Sequence, residues 1–223
     1  MTLLEAMEAR HSVRRYLSKP LSQDSIATLQ QEIALCNREG HLHMQLVTDA
    51  PEVFESRLAH YGKFENVQHF IALIGEKSAD LDERIGYYGE RLALLAQTLG
   101  LNTCWVALTF AKGASKDRCI IAKNEKLVCV LALGYGATSG SPHKSKPLSA
   151  ICKDNDELPD WYRRGLHYAL LAPTAMNQQK FLFSRQGDRV AVKATGGFYS
   201  KVDLGIVKYH FELGAGIEHF RWL

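Results

Sequence analysis

The chain has 223 residues, of which 46% are hydrophobic and 23% are charged, and its formal net charge is +3. These values are typical of a globular protein and exclude disordered, collagen-like and coiled-coil chains. So small a net charge gives no argument for nucleic acid as a partner, and the longest apolar run, residues 127–133, is far too short to cross a membrane.

Two helices are predicted within the first forty residues because each begins at a capping residue. Thr2 and Glu5 have the spacing of a capping box, and Ser22 is the candidate N-cap of the second helix. Gly100 occupies the position that follows a helix C-terminus. The predicted elements up to that residue are helices over 3–9, 23–40 and 82–100, strands over 41–48 and 69–75, and a partly helical segment over 50–68.

The second half of the chain mixes the same two kinds of element. The run 127–133 is apolar on both faces and predicts a strand at the centre of a sheet, and Asp203 is the predicted N-cap of a last helix. Strands occur in groups rather than in alternation with helices, which favours an α+β fold with four or five strands. The other predicted elements are a polar loop over 138–147, a helix over 158–172 and strands over 180–184 and 189–194.

The cysteines and the N-terminus predict a cytoplasmic protein. Five cysteines are an odd number, and their spacing fits neither a disulfide framework nor a zinc site, so no metal site is predicted. The first residues carry an acid where a secretory signal has a basic region. The cysteines are therefore predicted to be small, buried apolar residues.

A cluster of basic and hydroxyl side chains follows the first helix. Arg10, His11, Ser12 and Arg14 can together bind a phosphate, because guanidinium groups bind its oxygens in pairs and the hydroxyl adds a directional hydrogen bond. A solvated basic turn is the alternative for this cluster taken alone. A second basic pair, Lys144 and Lys146, lies in the polar loop and by itself is typical of an exposed loop.

Four motifs taken together resemble the nitroreductase family of FMN-dependent oxidoreductases. They are the turn Arg10-x-Ser12-x-Arg14, the string Leu99 to Trp105 that ends the long helix, the strand end Leu133 to Tyr135, and the basic pair before Pro147-Leu148. The motifs cover about residues 1 to 150. The resemblance implies a nitroreductase-like α+β fold, with a central and mostly antiparallel sheet flanked by helices.

One family motif is displaced along this chain. The family's Ala-Pro-Ser-x-x-Asn segment normally follows the second helix, but residues 35–44 lack it, and its counterpart begins at Ala172. We therefore interpret residues 1–152 as a nitroreductase-like half and residues 153–223 as a reduced second half. Family members are typically homodimers with FMN at the interface, so this chain is predicted to complement itself as a monomer with one flavin site, with a homodimer as the alternative.

The resemblance implies a set of residues that contact FMN. The phosphate and polyol tail would be held by Arg10, His11, Ser12, Lys144 and Lys146, and the ring would be bordered by Arg14, Val106, Ala107 and Leu108. The displaced loop would supply Pro173, Thr174, Ala175, Asn177 and Gln178. Arg14 would lie at the N1–O2 edge of the ring, where a positive charge raises the flavin's reduction potential.

The activity implied is electron transfer from NAD(P)H to a nitroaromatic, quinone or similar small acceptor by a ping-pong mechanism. No residue is assigned as an acid, a base or a nucleophile, because the cofactor supplies the chemistry. Six aromatic residues are candidates for a gate that selects acceptors, and packing in the core is an equally good explanation for each of them. They are Tyr61, Phe64, Tyr87, Tyr88, Phe198 and Tyr199.

Two other functions stay open at this point. The truncated second half, Leu108 and the altered segment after Asn177 leave room for a nitroreductase-like protein that binds flavin weakly or not at all, has no turnover, and acts as a binding or regulatory module. The basic turn could also bind a different phosphate ligand. The choice between NADH and NADPH, and the physiological acceptor, are not determined by the sequence.

Overall fold

Helices and strands of the computed structural model cover most of the residues that it describes, which are 1–55, 61–154 and 157–223. The helices are α1 (Leu3–Ala9), α2 (Gln23–Gly40), α3 (Leu81–Thr98), α4 (Lys112–Asp117), α5 (Asp160–Ala169) and α6 (Ser200–Ala215). The strands are β1 (Gln45–Val47), β2 (His69–Glu76), β3 (Asn102–Val106), β4 (Glu125–Gly134), β5 (Phe181–Gln186), β6 (Arg189–Ala194) and β7 (Arg221–Trp222).

The larger sheet has the strand order β1-β2-β4-β3, and all its neighbours are antiparallel. Strand β4 lies inside the sheet, and seven consecutive residues, 128–134, are buried on it. This confirms the predicted central strand and the α+β fold with a mostly antiparallel sheet flanked by helices. Strand β3 and helix α4 are not among the predicted elements, because the string Leu99 to Trp105 predicted only the end of the long helix.

A second, smaller sheet contains the strand order β5-β6-β7. Strands β5 and β6 form the predicted hairpin, with Gly187 at a φ of +65° in its turn, a conformation that favours glycine. Strand β7 pairs in parallel with β6 and was not predicted. The described residues therefore hold seven strands, and the predicted number of four or five was too low.

Helix α1 begins and ends as the capping pattern predicts. The Thr2 hydroxyl accepts a hydrogen bond from Glu5 N at 3.2 Å, and Thr2 N donates to the Glu5 carboxylate at 2.7 Å. The helix ends at Arg10, which has an extended backbone with a ψ of 121°. The chain then runs beside β3, where Val13 N donates to Thr103 O at 3.0 Å. The basic turn is thereby attached to the edge of the larger sheet.

Helices α3 and α6 cross at two glycines, and this crossing joins the two parts of the chain. A Cβ on Gly86 would lie 2.0 Å from Val202 O, and a Cβ on Gly205 would lie 1.9 Å from Glu83 O. No side chain fits at either position, so the two backbones are in direct contact. Close contact of this kind fixes how the neighbouring side chains of the two helices meet.

Several predicted boundaries differ from the observed ones. The strand over 41–48 is reduced to β1 because His41, with a φ of +48°, ends α2 in a left-handed turn. The helix over 158–172 is the shorter α5. The segment 50–68 contains a 3-10 turn at Pro51–Val53, and 56–60 lie outside the described residues. Gly100 follows α3 with a φ of +73°, as predicted.

The prediction that Asp203 caps the last helix was wrong. Helix α6 begins at Ser200 after Tyr199, and no side chain caps it. The Asp203 carboxylate instead accepts hydrogen bonds from Ala175 N at 2.9 Å and Gln178 Nε2 at 2.6 Å. Bonds to a distant loop have replaced the local capping bond.

Two expectations concern the environment of the chain. Among the described residues, none of the helices has both the length and the apolar character needed to cross a bilayer. The five cysteines are unpaired thiols, of which Cys119 is partly exposed and the others are buried as predicted.

Candidate functional site

Two adjoining cavities open between the basic turn and the loop that precedes β5. One has a volume of about 540 Å³ and the other about 320 Å³. Five residues are shared by the linings of both cavities, and they are Ser12, Arg14, Pro173, Thr174 and Met176. We call the larger one the polar chamber and the smaller one the apolar chamber. Together they form one cleft of the size that binds small ligands, and a single chain builds it.

The polar chamber carries a concentration of positive charge. Its basic lining side chains are Arg10, His11, Arg14, Arg15, Lys63 and His143, and no carboxylate is among its lining residues. Burial, and then the charge of Arg10, lower the pKa of His11. A bound anion would offset that charge and favour protonated His11. The chamber therefore suits an anionic ligand better than a neutral one.

Arg10 lies at the buried end of this chamber and has unused hydrogen-bond donors. The side chain is 3% exposed, and its Nε and Nη1 atoms are buried without a hydrogen-bond partner. Its nearest acid is Glu90, at 3.6 Å from Arg10 Nε to the carboxylate. Buried donors nearly always have hydrogen-bond partners in folded proteins, so a guanidinium that lines a cavity with two donors unused indicates a site for an acceptor-rich anion.

The apolar chamber is built by the end of β3, the start of α6 and the loop 173–176. Its apolar and aromatic lining side chains are Trp105, Val106, Ala107, Leu108, Cys129, Pro173, Ala175, Met176, Phe198, Tyr199, Val202 and Ile206. Leu108, Met176 and Phe198 lie at its mouth and are 61%, 91% and 75% exposed. Such a space suits a flat, largely apolar ring, and Arg14 and Asp203 add charged groups to the lining.

The loop 173–179 has a strained backbone that several hydrogen bonds maintain. Met176, Asn177 and Gln179 have φ values of +52°, +52° and +44°, which non-glycine residues rarely adopt. Gln179 N donates to the Thr174 hydroxyl at 3.0 Å, and the Gln179 amide donates to Lys144 O at 2.9 Å. This bonding holds Thr174 and Asn177 against the cleft.

Comparison with known proteins identifies the family of this chain. The family model described as "Putative TM nitroreductase" matches residues 2–215. The chain belongs to this nitroreductase family. No curated protein matches it in sequence.

Solved structures with the same fold include nitroreductases from three bacteria. A nitroreductase of Thermotoga maritima is 21% identical, with a TM-score of 0.68 over 96% of this chain and 83% of that one. A nitroreductase of Desulfovibrio desulfuricans, solved in complex with FMN, is 15% identical, with a TM-score of 0.55 over 71% and 98%. An FMN-dependent nitroreductase of Clostridium difficile is 16% identical, with a TM-score of 0.51 over 66% of this chain and 94% of that one. At these identities the likeness establishes the fold alone.

Eleven of the fourteen site residues expected from the nitroreductase resemblance line the cleft. They are Arg10, His11, Ser12, Arg14, Val106, Ala107, Leu108, Pro173, Thr174, Ala175 and Asn177. Lys144, Lys146 and Gln178 do not line it. The Lys146 ammonium donates to Gln178 O at 2.7 Å and Gln179 O at 3.0 Å, so it supports the loop. The Gln178 amide donates hydrogen bonds to the Asp203 carboxylate and to Phe198 O, and Gln178 itself is not among the lining residues.

Sequence reasoning missed several residues of the polar chamber. They are Val13, Arg15, Lys63, Thr138, Gly140, Ser141 and His143. Gly140 has a φ of +75°, and a Cβ there would lie 2.8 Å from His11 Cβ, so the polar loop packs directly on the basic turn. Gly140 and His143, close to the lysine pair, are the sequence signal that could have indicated this loop. Lys63 had no such signal, because its segment carries no motif.

Of the six aromatic candidates for a gate, Phe198 and Tyr199 line the apolar chamber. Phe64 is buried and packs against Phe54, with 5.4 Å between the two ring centroids. Tyr87 donates a hydrogen bond to the Glu212 carboxylate and packs against Tyr88. Packing therefore explains Phe64, Tyr87 and Tyr88. Tyr61 is exposed and lines neither chamber.

Asp203 should make the stability of this protein depend on pH. Burial raises the pKa of its carboxyl from 3.8 to about 6, although the bonds from Gln178 and Ala175 N oppose the rise. The unfolded chain loses this proton at lower pH than the folded protein, so the free energy of unfolding should fall as pH rises from about 4 to about 6.

The measurement for Asp203 is urea unfolding of the wild type and Asp203→Asn at pH values across that window. The wild-type free energy of unfolding should fall relative to that of the variant, by up to about 3 kcal/mol. A difference between the two proteins that stays constant across the window would contradict the assignment.

Proposed function

We propose that this protein is an FMN-dependent oxidoreductase that passes electrons from NAD(P)H to nitroaromatic, quinone or similar small acceptors by a ping-pong mechanism. The observation that carries the proposal is the Arg10 guanidinium, buried with unpaired donors at one end of a cationic chamber that continues into an apolar one. A flavin nucleotide has the matching shape, because its phosphate and its ring system lie at opposite ends.

The chemistry of the lining fits FMN in both chambers. The phosphate carries nearly two negative charges, and Arg10, which has two buried nitrogens without hydrogen-bond partners, lines the polar chamber together with His11. Ser12, Thr174 and Asn177 supply hydroxyl and amide groups for the polyol tail. Lys144 and Lys146 support the loop in this assignment and stay outside the phosphate contacts.

Bound FMN supplies hydride and electron transfer, and the protein supplies position and charge. Arg14 lines both chambers, so its positive charge stabilises negative charge that develops in either one. Val106 and Ala107 limit the space beside a flat ring, and Phe198 and Tyr199 border the place where donor and acceptor would enter in turn. No titratable side chain needs to act as an acid or a base in this assignment.

The proposed stoichiometry is one FMN per chain, in a self-complemented monomer. The basic turn and the displaced loop face the same cleft of one chain, and the direct contact of Gly86 with Gly205 joins the elements that carry them. The division into halves over 1–152 and 153–223 agrees with two separate sheets, one on each side of that division. Five unpaired thiols suit the cytoplasm, the compartment that we propose.

The test is the visible spectrum of the purified protein after incubation with excess FMN and desalting. We expect a retained flavin spectrum at about one FMN per chain, bleaching on anaerobic addition of NADPH or NADH, and recovery on addition of a quinone. Size-exclusion chromatography with light scattering should give the mass of a monomer. Retained flavin without bleaching would favour the binding or regulatory module, and a colourless protein would leave only the fold in common with flavin enzymes.

A further inference from the structure

A buried polar network lies directly behind Arg10. Of its side chains, Trp105 also lines the cleft, whereas Glu90 and His210 do not. Glu90, on α3, accepts a hydrogen bond from Trp105 Nε1 at 2.8 Å and lies 2.9 Å from His210 Nε2, on α6. His210 Nδ1 lies 3.1 Å from Tyr168 O. The side chains of Glu90 and His210 are fully buried.

We propose that His210 is held as an imidazolium, and that it is a positioning residue whose charge offsets Glu90 and leaves the charge of Arg10 available to the anion in the polar chamber. The identity of that anion as the FMN phosphate rests on the proposed function.

The partners of His210 determine where its protons lie. A backbone carbonyl can only accept, so His210 Nδ1 must carry a proton to bond Tyr168 O. An ionised Glu90 can also only accept, so His210 Nε2 must carry a second proton. Glu90 also accepts the Trp105 N–H and lies 3.6 Å from Arg10 Nε, so a hydrogen-bond donor and a cation both face its carboxylate.

The helix crossing brings the two groups together. Glu90 lies four residues after Gly86 on α3, and His210 lies five residues after Gly205 on α6, so each is about one turn beyond the contact. Neither side chain reaches water. The pair can therefore exist only in this packed arrangement of the two parts of the chain.

The charge balance has a direct consequence for the cleft. Without His210, the buried Glu90 carboxylate would neutralise Arg10 and repel an incoming phosphate. With an imidazolium at His210, the two cations and one anion leave one positive charge, and Arg10 is on the side that faces the cleft. The ion pair between Glu90 and Arg10 is long and lacks a hydrogen bond, so Glu90 uses none of the guanidinium donors.

The first test measures the protonation of His210 in the protein as purified. In protein labelled with ¹⁵N in histidine, near neutral pH, His210 should give two protonated ring nitrogens, and its signals should be assigned by their loss in His210→Gln. A single protonated nitrogen would overturn the proposal, because the proton would then belong to Glu90. This measurement needs no flavin, so it stands whether or not the proposed function holds.

The second test compares the dissociation constants of FMN and riboflavin, which differ by the phosphate. His210→Gln removes the imidazolium charge and should lower the preference for FMN by roughly tenfold, which corresponds to 1.4 kcal/mol. The double variant E90Q/H210Q removes both charges and keeps a complete chain of hydrogen bonds from Trp105 to Tyr168 O, so it should restore most of the preference. His167→Gln, exposed on α5, is the control and should change neither constant.

A purely structural role for His210 gives a different result. His210→Gln would then weaken FMN and riboflavin equally, and the preference for FMN would stay unchanged, which would overturn the proposal. If the wild type binds neither flavin, the proposed function fails, and the nitrogen spectrum alone decides the charge on His210.

Discussion

Arg10→Met is expected to weaken FMN binding by roughly 100-fold, because a hydrogen bond to a charged group contributes about 1.5 to 3 kcal/mol and Arg10 offers more than one unpaired donor. Methionine has a similar length and keeps the buried volume filled. Riboflavin, which lacks the phosphate, should lose far less affinity. The measurement is quenching of flavin fluorescence during titration with each protein.

Arg189→Met is the matched control for Arg10→Met. Arg189 is exposed on β6, away from the cleft, so the same loss of charge should leave both dissociation constants unchanged. Arg10→Met should also leave the thermal stability of the flavin-free protein unchanged or raise it, since a buried guanidinium without hydrogen bonds on two nitrogens is costly to desolvate. Equal affinity of wild type and Arg10→Met for FMN would contradict the phosphate assignment.

Gly205→Ala should destabilise the protein by about 3 kcal/mol, the upper end of the usual cost of overpacking, because the contact is with backbone atoms. The added Cβ would lie 1.9 Å from Glu83 O and 2.6 Å from Tyr87 N, and backbone atoms of a helix cannot move aside singly. The two helices must separate along their length. The midpoint of thermal unfolding should fall by roughly 6 to 12 °C, as differential scanning calorimetry can measure.

Gly113→Ala provides the control for Gly205→Ala. Gly113 lies in helix α4, and no atom lies within 4 Å of the position of its Cβ. Alanine there should leave stability unchanged or raise it by up to about 1 kcal/mol, because it lowers the entropy of the unfolded chain. Equal unfolding midpoints for the two variants would contradict the close contact between α3 and α6.

The features that sequence reasoning predicted correctly depend on neighbouring residues. The capping box of Thr2 and Glu5 acts within three residues, and the left-handed Gly100 ends α3 within one turn. The hairpin of β5 and β6 needs only its turn and its alternating pattern. Each of these elements has most of its determining interactions within a short window of sequence.

The predictions that failed involve partners far apart in the chain. Asp203 resembles a helix cap, but its carboxylate bonds Ala175 N and Gln178, which are folded against it from another segment. Strand β7 is two residues long and exists only because β6 lies beside it. Lys63 joins the polar chamber from a segment whose sequence carries no motif.

The amino-acid sequence by itself determined the fold class, the family resemblance and most of the candidate site, because the basic turn, the β3 string and the displaced loop are each contiguous motifs. Only the tertiary structure decided how they combine. It placed the turn and the loop on one cleft of one chain, left Arg10 with unpaired donors there, and set Glu90 against His210. The physical reason is that the burial of these groups, and the distances between them, are set only when the helices α3 and α6 pack against each other.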